Sequence, residues 1–133
     1  MATGLPTFDA FSWASLLAGR RTLVIDRHFA RAKSISAALE EAGAVATLAP
    51  GQVVGADRLR DEVFALVVLG LSDDEPIGER LALHLPGLGT ALLILAEPER
   101  HPALRAVLPA ARLGRHGMSD RDLVMFITGT ADE

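Results

Sequence analysis

The stretch "FALVVLGLSDDEPIGERL", residues 64–81, decides how the chain must be read. Its first eight residues are apolar without the alternation of a half-exposed strand, so they read as a strand covered on both faces. The run ends at Gly70 and Leu71, passes through the acidic residues Asp73, Asp74 and Glu75, and enters a helical pattern over 77–85 with Leu81 and Leu85 inward. A doubly covered strand followed directly by a helix is the repeating unit of a parallel sheet. Working outward, the same pattern recurs in "TLVID" (22–26), "AVATLA" (44–49), "TALLILA" (90–96) and the shorter "ARLGR" (111–115).

Helical patterns separate these strands. Over 29–42, Phe29, Ala32, Ile35, Leu39 and Ala42 share one face, and Gly43 follows as the natural stop. Shorter patterns cover 55–62 and 103–108, and the last, 120–128, starts after Ser119 as N-cap and carries Leu123, Phe126 and Ile127. The order βαβαβαβαβα predicts an α/β fold, a doubly wound five-stranded parallel sheet with right-handed crossovers. Its boundaries are an N-terminal extension over 1–20, expected to be helical, and one domain over 21–130.

Composition narrows the function. A formal charge of -4 with no basic run argues against nucleic acid or an anionic membrane surface as partner. Without cysteine there is no thiolate metal site, disulfide or thiol nucleophile. No segment has the roughly 20 apolar residues of a membrane span, and the first residues do not read as a signal peptide, so a cytoplasmic setting is expected. His28, His84, His101 and His116 are scattered without metal-ligand spacing, and "GLGT" (87–90) precedes its strand, the wrong side for a phosphate cradle. Neither a metal, a cofactor nor an enzymatic activity is expected.

The chain from about Arg21 to Thr128 resembles the receiver domain of bacterial two-component response regulators. "RTLVIDRH" is similar to that family's first strand with its acidic pair, "FALVVLGL" to the third strand, "LLILAE" to the fourth, and "RHGMSDRDL" to the turn into the last helix. Gly78, eight residues beyond Gly70, keeps the register. The resemblance implies strand order 2-1-3-4-5 with the working pocket at the carboxyl ends of the strands. It also places Gly70 where the family carries its phosphoacceptor aspartate. Asp26 matches the first acid of the magnesium pair, but Arg27 stands at the second. Ala96 replaces a hydroxyl residue, and His116, or Arg115 with one gap, replaces a lysine. On this register the chain is a receiver scaffold without the chemistry of phosphorylation, a pseudo-receiver.

Each of these residues has a plainer reading. Gly70 is equally a strand end that lets backbone pack closely. Asp26 is a remnant pocket acid, a cap on local backbone, or a partner for Arg115. Asp73, Asp74 and Glu75 read first as a solvated turn before a helix N-terminus, and less readily as a shifted phosphoacceptor such as Asp74 or as a metal site. The segment "TFDAFSWASLLA" (7–18), if helical after Thr7, presents Trp13, Leu16 and Leu17 on one face and Phe8 and Phe11 on another. It packs on its own domain or docks on a second protomer or partner.

The leading expectation is a phosphorylation-independent signalling module that works by protein contact as a homodimer or adaptor. The face over 103–108 and 112–128, mixing Arg105, Arg112, Arg115 and Arg121 with Asp120 and Asp122, is its expected interface. The alternative is a small-molecule or nucleotide binder at the strand ends, with Arg27, Arg115 and His116 as anion contacts. Met1 reads as a beginning, and an effector domain beyond Glu133 would fit the resemblance.

Overall fold

The structure, a computed structural model, describes residues 16–128. Five parallel strands, β1 (Arg21–Ile25), β2 (Val45–Ala49), β3 (Leu66–Gly70), β4 (Leu92–Leu95) and β5 (Arg112–Gly114), form one sheet in the order β2-β1-β3-β4-β5. The helices are α1 (Phe29–Glu41), α2 (Gln52–Asp61), a single turn α3 (Glu79–Ala82), α4 (His101–Val107) and α5 (Asp120–Thr128). Tight 3-10 turns over Pro86–Ala91 and Pro98–Arg100 precede β4 and α4. The expected fold class and strand order are therefore those observed.

Side-chain alternation in the three central strands divides the core into two layers. Val24, Leu66, Val68, Leu93 and Leu95 face α1 and α5, meeting Ile35, Leu39, Leu123 and Ile127. Leu23, Ile25, Val67, Leu69, Leu92 and Ile94 face the other side, meeting Ala56, Leu81, Leu85 and Leu104. Strands apolar at every position are what two such layers require. Gly55 shows how closely the second layer packs, since a Cβ there would lie 2.6 Å from Ile25 Cδ1. The first helix stops as its sequence predicts. Gly43 takes a left-handed φ of 96°, and the N–H groups of Gly43 and Ala44 return to the carbonyls of Glu40 and Leu39.

Several boundaries differ from the expectation. The second helix starts three residues early, at Gln52, and the pattern over 77–85 is helical only over Glu79–Ala82. Leu81 and Leu85 are both buried as expected, but Leu85 is positioned by the turn ahead of Pro86 and not by a continuing helix. Phe29 is not on the buried face: it is 67% exposed, its ring beside the Lys33 ammonium at 5.5 Å. As the first residue of its helix it stands at the edge of the covering layer, largely open among the described residues. Leu17, assigned to the N-terminal extension, is fully buried against α1 and α5, with its N–H bonded to Ala42 O. Phe8, Phe11, Trp13 and the helix expected around them lie outside the described residues. Among the described residues, no helix is long and apolar enough to cross a membrane.

Candidate functional site

The pairing of β1 with β3, Ile25 opposite Leu69, brings Asp26 and Gly70 out side by side at the carboxyl edge of the sheet. Asp26 is 1% exposed, and both of its oxygens are engaged. Oδ1 accepts the His28 backbone N–H at 2.8 Å and Arg31 Nη2 at 2.9 Å, while Oδ2 accepts Arg31 Nε at 2.6 Å. This is a two-pronged guanidinium–carboxylate pair, the strongest kind of side-chain ion pair because both charges and both hydrogen bonds align. The link from β1 to α1 is only three residues, so the first turn of α1 starts beside the strand end and Arg31 reaches back over it. Arg31 Nη2 also donates to Ser72 Oγ at 3.2 Å, joining the pair to the loop after β3.

Gly70 is explained by the same carboxylate. Its φ is not in the left-handed region, so conformation does not demand glycine here. Space does. A Cβ at residue 70 would overlap Asp26 Oδ2 and stand 2.8 Å from Asp26 Cγ. Glycine at the end of β3 is what leaves room for the Asp26–Arg31 pair.

The loop beyond is fixed rather than a wholly solvated turn. Glu75 is 8% exposed: Oε1 accepts the Ser72 N–H at 2.9 Å, and Oε2 accepts Gln52 Nε2 at 3.0 Å. Arg27 Nε stands 3.5 Å from Glu75 Oε1, which turns this arginine from the Asp26 carboxylate towards the loop. Gln52 also receives the Gly78 N–H at 2.6 Å and donates to Pro76 O at 2.8 Å, so α2 holds the second half of the loop, from Glu75 to Gly78. Asp73 and Asp74 are exposed, as the turn reading expects, and Asp74 has a φ of 61° that aspartate tolerates better than most residues.

On the other side, two histidines tie strand ends together. His116 Nε2 is 2.8 Å from Leu71 O, and because a carbonyl only accepts, Nε2 carries the hydrogen. His101 Nε2 lies 3.2 Å from Ala96 O and 3.1 Å from Gly114 O, bridging β4 and β5. Ala96 is fully buried, its methyl in the second core layer, and it offers hydrogen bonds only through its backbone. Its N–H donates to Gly114 O at 3.0 Å.

Asp26, Gly70 and the loop after β3 thus meet at one edge, with Ala96 and His116 at the ends of the neighbouring strands. The pairing of Asp26 with Arg115 does not occur, because Arg31 takes both carboxylate oxygens first. The backbone cap is present, through His28. Arg31 was not singled out from sequence, although an acid closing a strand and an arginine five residues later, in the first turn of the next helix, was the available signal. Ser72, Gln52 and His101 gave no comparable signal, since their partners are backbone groups or residues from distant loops. Among the described residues, no group of three or more His, Asp or Glu side chains is placed to hold a metal ion. On the opposite flank, Arg105 and Arg121 are exposed and Arg112 is half-buried.

No protein-family model matches the sequence, and no curated protein is detectably similar to it. Solved structures do match. A CheY-like response-regulator receiver domain from Methanospirillum hungatei is 21% identical with a TM-score of 0.66, over 86% of this chain and 95% of that one. The receiver domain of the Francisella response regulator 1452 is 17% identical with a TM-score of 0.68, over 86% and 98%. The receiver domain of a sensor histidine kinase from Pseudomonas aeruginosa, solved with magnesium in its active-site cleft, is 12% identical with a TM-score of 0.63, over 84% and 99%. At these identities the likeness is one of fold.

Proposed function

We propose that this chain is a receiver-like signalling module that works without phosphate, by protein contact, in a two-component-type regulatory system. The observation that carries the reading is the closed acid pocket: Gly70 offers no acceptor, and an internal guanidinium takes the Asp26 oxygens that a divalent cation would need. The fold shared with receiver domains supports the signalling class. Without a phosphate to shift its conformational balance, such a domain is set by its sequence or moved by a partner, because only differential affinity shifts an equilibrium.

The contact surface proposed is the flank of α4, β5 and α5. It offers exposed Arg105, Arg115 and Arg121 beside exposed Asp120 and Asp122, a composition that can complement a second copy of itself. Light scattering and partner binding test it. Arg105→Glu with Arg121→Glu should convert a dimer to a monomer or abolish capture of a cognate signalling partner, while removal of residues 1–15 leaves this intact. The truncation stops at 15 because Leu17 belongs to the core. A wild-type monomer at high concentration, with no partner affected by either change, would end the contact reading.

A further inference from the structure

Beside the closed acid pocket lies an open cavity of about 370 Å³ between α1, the β5–α5 turn and the start of α5. Its apolar lining is Ile35, Leu95, Leu123 and Met118; Ser34 and His116 add polar groups, and its charged lining is Arg31, Arg115 and Asp120, of which Arg31 is already held by Asp26. The side chains of Arg115 and Asp120 belong to exposed residues, and neither forms an ion pair or side-chain hydrogen bond among the described residues, either with the other or elsewhere. With Arg31 committed to Asp26, Arg115 and Asp120 are the two opposite charges of the cavity left without a partner among the described residues.

We infer that this cavity binds a zwitterionic amino acid with an aliphatic side chain. The carboxylate pairs with Arg115, the ammonium with Asp120, and the side chain covers Leu95, Ile35 and Leu123. The alternatives each leave something unmatched. A phosphate or simple carboxylate satisfies Arg115 but brings a second negative charge against Asp120. An uncharged apolar ligand leaves both charges partly desolvated without a partner, which is costly. Arg115 and Asp120 also belong to the contact surface proposed above, so ligand and partner compete for them, and the titration is repeated in Arg105→Glu with Arg121→Glu, which removes the contact and leaves both cavity charges in place.

Calorimetric titration of the full chain with L-leucine tests it. Saturable binding is expected, weakened by at least about tenfold in Arg115→Gln and in Asp120→Asn, since each removes one charge-assisted contact. Both side chains are exposed and unpaired, so the variants should melt like wild type. The weakening should be similar when the ligand is glycine, which lacks the side chain, 4-methylpentanoate, which lacks the ammonium, or 3-methylbutylamine, which lacks the carboxylate. No saturation with L-leucine up to about 10 mM, where a ligand of millimolar affinity would occupy most sites, would overturn the proposal. So would binding that survives both substitutions, or equal binding of 4-methylpentanoate.

Discussion

Gly70→Asp is expected to unfold or severely destabilise the protein instead of restoring a phosphoacceptor. The new Cβ overlaps Asp26 Oδ2, and the new carboxylate enters a site where Asp26 is 1% exposed and already held on both oxygens. Overpacking a filled site costs about 1–3 kcal/mol. Crowding a second carboxylate against the first adds to that, so a loss of at least about 3 kcal/mol is expected, a large share of a typical domain's roughly 5–15 kcal/mol. Denaturant melts check the magnitude, and a double-mutant cycle checks the cause. Gly70→Ala should cost clearly less in an Asp26→Ala background than in wild type, because the overlapping carboxylate is then gone. Equal cost in both backgrounds would mean that Gly70 serves something other than room for Asp26.

Arg31→Ala should be comparably damaging, by the opposite route. It removes no bulk from the centre of the core, but it leaves the buried Asp26 carboxylate with only the His28 N–H. Removing one partner of a buried ion pair costs about 3–5 kcal/mol. The Arg31 side chain is about a quarter exposed, so solvent offsets part of this and about 2–3 kcal/mol is expected. Arg31→Lys should recover little, because an ammonium cannot reproduce the two-pronged geometry. If Arg31→Ala melts within about 0.5 kcal/mol of wild type, as an ordinary surface change would, Asp26 does not depend on this arginine.

The fold was legible because its signal is spread over many residues. Strands apolar at successive positions, as in "FALVVLGL", imply cover on both faces, and helices between them leave few topologies. The pocket was half legible. Register places Asp26, Gly70, Ala96 and His116, and the backbone-cap reading of Asp26 holds in the structure, whereas the room at Gly70 is filled by the Asp26 side chain and not by close backbone. What failed were statements about partners. A partner for Asp26 across the sheet, Arg115, is the weaker inference, because helix geometry puts Arg31 nearer. The acidic loop looked uniformly solvated because composition does not show that Glu75 turns inward to Ser72 and Gln52. Phe29 fits the apolar stripe of its helix, but periodicity does not reveal where the covering layer ends.

A guanidinium, in place of a metal and phosphate, completes this pocket in the proposed reading. The most direct test is amide chemical-shift mapping of the wild-type chain during titration with magnesium and beryllofluoride. No saturable changes are expected at residues 26–28, 70–72, 96 and 116, because both Asp26 oxygens are already bonded to Arg31 and residue 70 has no side chain. Magnesium-dependent, saturable shifts clustered at those positions would contradict that reading.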